Sequence, residues 1–215
     1  MTDSDDEIAL SADTLAALAE FHAERDSAQA KFKELQAEAE VENGPLSMEA
    51  FGEDWNESQF WYSNETASAL AHQLLDGARS RTSIGVISTP SAFVALKNIL
   101  RTRPESERPR LVLLEHDHRF RVFEEFVYYD FQKPLELPVA MTVRWLLKTR
   151  IPELPAPQVI LNTGERLNQL IAKVYRPFGL RPTTFMLKHA RGLSNEFYCY
   201  ANFECPTWTW LPETA

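Results

Sequence analysis

Four short polar clusters follow apolar runs along the chain, and each holds residue types that could do chemistry. Ser88-Thr89-Pro90-Ser91 brings small side chains and a helix start to one place, which suits a carboxylate or another polar group. Glu115-His116-Asp117-His118-Arg119-Phe120 sets acids where α/β proteins commonly bind ribose hydroxyls. Asp130-Phe131-Gln132-Lys133-Pro134 and Asn162-Thr163-Gly164-Glu165 are the third and fourth clusters. Each also has an ordinary reading. Ser91 serves as a helix cap, and Asp130 ends a strand and opens a turn. His116 and His118 form an H-x-H pair that can chelate, but no third ligand lies near in sequence. Solvent exposure or local hydrogen bonding is the preferred reading, and no metal site is expected. Cys199 reads as a small buried hydrophobe. No serine–histidine–acid signature and no nucleophile elbow is present, so the catalytic residue stays unassigned.

Two aromatic segments carry a choice. Gln59-Phe60-Trp61-Tyr62-Ser63 packs as a lid on the core or borders a substrate channel with Phe60, Trp61 and Tyr62. Pro206-Thr207-Trp208-Thr209-Trp210 covers the core or contacts a partner.

The elements that position these clusters alternate. Ser83–Ser88 reads as a short buried strand. A helix capped by Ser91 follows, with Phe93, Leu96, Ile99 and Leu100 on its core face. Leu111–Leu114 is apolar throughout, as a strand buried on both faces should be. Glu125–Asp130 is a third strand, Met141–Leu147 a short helix and Gln158–Asn162 a further strand. A helix then spans about Glu165–Tyr175. Thr184–Leu187 and Glu196–Phe203 form a hairpin, the second arm alternating Phe197, Cys199, Ala201 and Phe203 with polar or aromatic neighbours. The expectation is an open α/β sheet, mostly parallel, with an antiparallel hairpin at its edge.

Composition bounds the function. The chain has 215 residues and a net charge of -9. Residues 1–58 hold 16 acidic and 3 basic residues, so residues 59–215 carry a balance of +4. The first part reads as an acidic helical extension and linker, the second as the working domain. Ser11 caps the extension's helix, which runs to about Glu40 with Leu15, Leu18 and Phe21 on one face; residues 41–58 look like a linker. An overall acidic chain argues against nucleic-acid binding. No apolar run of about 18 residues occurs, so no membrane span is expected. The acidic start is not a secretory signal, and two cysteines are too few for a disulfide scaffold. The cytoplasm is the expected location. Only 7 glycines are present, with no two placed for G-x-G-x-x-G or a P-loop, so a nucleotide cofactor would be held without the standard glycine cradle.

Five blocks in fixed order carry a specific resemblance. They are Gln59–Ser63, Ser88–Ser91, Leu114–Phe120, Tyr128–Pro134 and Asn195-Glu196-Phe197-Tyr198-Cys199-Tyr200-Ala201-Asn202-Phe203. From about residue 55 to the C-terminus the chain resembles the eukaryotic family that methylates a lysine of translation elongation factor 1-alpha with S-adenosylmethionine. That family was earlier labelled adenine-N6 DNA methyltransferase. The resemblance implies a class I, Rossmann-like methyltransferase sheet. It places Ser88, Pro90 and Ser91 beside the methionine part of the cofactor, Glu115 or Asp117 on the ribose, and Asp130 with Phe131 near the adenine. Phe60, Trp61, Tyr62 and Asn195 are then expected at the substrate channel.

The chain departs from that family at one place. The family carries Asp-Pro-Pro-Phe, or Tyr, at the end of the fourth strand, facing the transferring methyl. Here Asp130 is followed by Phe131-Gln132-Lys133-Pro134-Leu135-Glu136-Leu137-Pro138 and then directly by Val139–Trp145, which resembles the helix after strand four. A strand, its motif and a loop are absent, on the order of 20 residues at ordinary element lengths. A skipped exon in the gene model and a truncated natural form both account for this. Sequencing the transcript across Pro138–Val139 separates them. Three readings follow: a lysine methyltransferase of elongation factor 1-alpha, a nucleic-acid adenine-N6 methyltransferase, and a catalytically impaired binding form of the family.

Overall fold

The computed structural model describes residues 11, 14–16, 19, 20, 23, 30, 45–53, 59–130, 132, 133, 157–193 and 196–212. Residues 1–45 and 46–215 separate into two units. In the first, Ser11 caps a helical stretch as its sequence predicts: the Thr14 N–H donates to Ser11 Oγ at 3.2 Å and the Leu15 N–H to the Ser11 carbonyl at 2.9 Å. Leu15 is half exposed.

The second unit is a mixed α/β structure. Its helix α1 (Asn64–Leu75) starts at Ser63, whose hydroxyl accepts from the Thr66 N–H. The chain then runs β1 (Ser83–Ile87), α2 (Pro90–Arg101), β2 (Arg110–Glu115) and β3 (Phe126–Tyr128). These three strands form a parallel sheet in the order β1-β2-β3, with Ile84 opposite Leu111 and Leu113 opposite Phe126. Every residue of β2 after Arg110 is buried, which its unbroken apolar run foretold.

Beyond residue 156 come β4 (Ile160–Gly164), α3 (Asn168–Tyr175), β5 (Arg181–Met186) and β6 (Phe197–Ala201). These strands form a second sheet, antiparallel, in the order β4-β6-β5. The expected hairpin is therefore present. Among the described residues the strands form two groups of three, one parallel and one antiparallel.

Boundaries differ from the sequence reading in physically simple ways. Gln158–Asn162 moves to Ile160–Gly164, since Asn202 already holds the incoming chain. Its Oδ1 accepts from the Val159 N–H and its Nδ2 donates to the Pro157 carbonyl, so ladder pairing begins later. The helix at Glu165 opens with a 3-10 turn, Glu165–Leu167, before α3. Glu125–Asp130 shortens to Phe126–Tyr128. The helix read over Met141–Leu147 lies outside the described residues.

The segment read as linker contributes to the core. Phe51 is 2% exposed and stacks on Phe120, ring centroids 4.2 Å apart. The Trp61 indole N–H donates to the Phe51 carbonyl at 2.7 Å. One large aromatic among polar neighbours is a weak sequence signal, and only the fold supplied its socket. The C-terminal tail covers the second sheet. Trp208 is buried, and Thr184 and Leu211 donate backbone bonds to Thr209 and Pro182.

Candidate functional site

The carboxyl ends of β1 and β2 open into a cleft of about 1470 Å³. One wall is built by the parallel sheet and the start of α2, the other by β4, β6 and the Phe60–Tyr62 segment. β1 gives its hydrogen-bonded edge to β2, and β4 gives its own to β6, so the cleft lies between the two edges left over.

At the end of β1, Ser88 takes φ of +50°, a left-handed turn that usually falls to glycine. Its N–H donates to the Leu114 carbonyl at 2.9 Å, which fixes the turn across the sheet. Thr89 then occupies the N-cap position of α2 without a side-chain cap bond, because its hydroxyl turns back to the Ile87 carbonyl. Pro90 sits in the first turn, where its missing N–H costs nothing. Ser91 is therefore not the cap that the sequence suggested. It is buried in the first turn of α2, and its Oγ accepts from the Tyr62 N–H at 3.1 Å. This bond ties the aromatic segment to the turn after β1.

The two acids after β2 part company. Glu115 lines the cleft and is buried. Its Oε1 accepts from the N–H groups of His116 (2.8 Å) and Asp117 (3.2 Å). Burial still pushes its carboxyl above the usual range, and the two backbone donors oppose that. Asp117 is occupied elsewhere. Oδ1 accepts from the Arg119 N–H, while Oδ2 accepts from Arg119 Nε at 2.8 Å and Gln59 Nε2 at 3.0 Å. Arg119 in turn donates to the Gly52 carbonyl and to Gln59 Oε1, so this network holds Gly52 and Gln59 against the end of β2. Asp130 also lines the cleft, and its Oδ1 accepts from the Gln132 N–H. Phe131 and Asn195 lie outside the described residues.

His116 and His118 are exposed and lie against Tyr128, at ring distances of 5.4 and 4.8 Å. Among the described residues no group of three or more His, Cys, Asp or Glu could hold a metal. Cys199 is buried, and burial pushes its thiol up to about 11, the state of an inert core residue.

Phe60, Trp61 and Tyr62 all line the cleft. Trp61 packs edge-on to Phe120 at 6.0 Å, so the segment rests on the core on one side and faces the cleft on the other. Facing it are residues that sequence reading did not single out as a site: His189 and Phe197, with Asn162 beside them. His189 comes from the connection between β5 and β6, where nothing in the local pattern marks it.

The family model described as a probable N6-adenine methyltransferase matches residues 53–142 and 138–205. The chain belongs to this family. The protein-lysine N-methyltransferase EFM5 of Saccharomyces cerevisiae is 37% identical over 237 aligned residues, covering 93% of this chain and 93% of that protein. EEF1A lysine methyltransferase 1 of Gallus gallus is 35% identical, covering 94% of this chain and 98% of its own length. The protein of the same name from Homo sapiens is 31% identical, covering 91% and 92%. Among the described residues of this family member, no helix is long and apolar enough to cross a membrane.

Proposed function

We propose that the chain is an S-adenosylmethionine-dependent protein-lysine N-methyltransferase whose substrate is translation elongation factor 1-alpha. The observation that carries this reading is the similarity to lysine methyltransferases over nearly the whole chain. The cleft fits the cofactor without a glycine cradle. The left-handed Ser88 turn and the uncapped N-terminus of α2 suit the cofactor's carboxylate, because a helix N-terminus favours an anion. Glu115, buried and still able to accept, suits the ribose hydroxyls. It is preferred to Asp117, whose oxygens are already taken. Asp130, which lines the same cleft, is assigned to the adenine side on the family resemblance alone. The bound cofactor would supply an activated methyl on a sulfonium. This chain's own residues orient it and hold the accepting amine in line. The elongation factor and two free cysteines make the cytoplasm the proposed location.

The fold assigned in this reading is a class I methyltransferase sheet that lacks its fourth strand. Three findings support it. The family model matches in two pieces that meet at residues 138–142. The alignment with the yeast protein runs over 237 positions, more than the chain's 215 residues. And the sheet divides between β1 and β4, with the cleft in the gap. On this reading the chain keeps the cofactor wall, while turnover depends on the absent Asp-Pro-Pro segment.

The test is calorimetric binding of S-adenosylhomocysteine, followed by radiolabel transfer to purified elongation factor and to DNA. The same assays are run on a version with the segment restored. Cofactor binding by both chains and transfer to the factor by the restored chain are expected. Transfer to DNA alone would replace this reading with the adenine-N6 one, and absence of cofactor binding by both chains would end it.

A further inference from the structure

Three rings meet at angles on the cleft wall opposite Glu115. Tyr62 and His189 lie 5.1 Å apart with planes inclined by 47°, and His189 and Phe197 lie 4.5 Å apart, inclined by 58°. Rings so inclined form a concave corner, not a stack. All three line the cleft, and each is only partly buried, so ring surface stays open to a ligand. The corner is anchored on two sides. Tyr62 is bridged to His189 in the backbone, and the Ser63 N–H donates to the Lys188 carbonyl at 2.8 Å.

The corner is electrically one-sided. Burial pushes the Tyr62 hydroxyl up to about 12, the Asn162 amide opposing, and burial lowers the His189 pKa, so both rings are neutral at neutral pH. Behind His189 stands the Glu53 carboxylate, 3% exposed, with Oε1 on the Trp61 N–H and Oε2 3.4 Å from Arg191 Nε. Beside Tyr62, the buried Oδ1 of Asn162 has no hydrogen-bond partner among the described residues. Neutral aromatic faces favour an alkylammonium, through the ring quadrupoles and polarised C–H contacts.

We infer that Tyr62, His189, Phe197 and Asn162 form an alkylammonium subsite that receives the side-chain head of a lysine or a methylated lysine. The identity of the ligand rests on the lysine methyltransferase reading; the cation chemistry of the corner does not. The three rings and Asn162 all line the described cleft, so the subsite is expected to bind its ligand whether or not methyl transfer occurs.

Choline and its neutral carbon isostere, 3,3-dimethylbutan-1-ol, share a shape and differ in charge. In an NMR titration of the full chain, choline is expected to bind about tenfold tighter than the isostere, the size of a desolvated cation–π contact. Equal binding of the two would overturn the inference. Saturating S-adenosylhomocysteine is expected to leave choline binding in place; displacement would mean that the corner belongs to the cofactor and would overturn it as well. The His189→Ala variant is expected to weaken choline binding about fivefold, and His189→Phe to retain it. If circular dichroism finds His189→Ala unfolded, Phe197→Leu takes its place with the same expectation. Failure of S-adenosylhomocysteine to bind would count against the methyltransferase reading alone, since the choline and isostere comparison needs no cofactor.

Discussion

The two sheets of this protein are built to different standards of closure. The parallel sheet is closed around its central strand, β2. Five of six β2 residues are buried, α2 buries Phe93 and Leu96 completely, and Phe51 and Phe120 seal one side. The antiparallel sheet has partial cover. β6 buries Cys199, Tyr200 and Ala201, but β4 buries only Thr163, and α3 buries nothing. Leu167, Leu170, Val174 and Phe178 recur at helical spacing along that helix region and are each about half exposed or more. Such a stripe ordinarily faces a core. The difference teaches that the region around β2 folds as a finished unit, while the apolar stripe of α3 has no cover among the described residues.

Substitutions can break this comparison. The largest effect is expected from Phe51→Ala, a destabilisation of about 3–5 kcal/mol in urea unfolding, because a fully buried ring leaves a cavity against Phe120. A loss no greater than that of Phe178→Ala would remove the contrast between the walls. Next comes Glu115→Gln. It is expected to weaken S-adenosylhomocysteine binding about tenfold, the loss of one charged acceptor.

The same change sharpens the point through pH. Burial raises the Glu115 pKa in the folded state, so ionisation costs folding stability once pH rises above the unfolded value. Glu115→Gln should therefore melt higher than the parent at pH 7, and the gain should vanish below about pH 4, where both forms are neutral. A lower melting temperature at pH 7 would refute the assignment of burial as the main cause.

Ser91→Ala removes the side-chain acceptor of the Tyr62 N–H, and about 1 kcal/mol of stability should go with it. Loosening of the aromatic segment should appear as faster hydrogen exchange at Tyr62. The smallest effect is expected at the open wall. Leu170→Gln on α3 should change stability by no more than about 0.5 kcal/mol in urea unfolding. A large loss there would mean that the stripe is covered after all.

Much of the fold was legible because it is written locally. The apolar run Leu111–Leu114 can only be a strand buried on both faces, and period-two alternation from Phe197 marks a hairpin arm. The cap at Ser11 and the strand-end clusters were legible for the same reason. The site was legible in part. Phe60, Trp61, Tyr62, Ser88, Pro90, Ser91, Glu115 and Asp130 line one cleft. Asp117 does not, because a neighbouring arginine claims its carboxylate, and side-chain pairing of that kind leaves no trace in spacing.

By itself the sequence determined the elements, their order, the family and the absence of a glycine cradle, since these depend on residue type and near neighbours. Only the tertiary structure decided which of two acids is left to accept a ligand. It also gave Ser91 to Tyr62 instead of to a helix cap, and brought Tyr62, Asn162, His189 and Phe197 to one corner. The physical reason is common to all three. Each depends on which groups, distant in sequence, reach hydrogen-bond or van der Waals distance after the sheets form, and no local propensity encodes that.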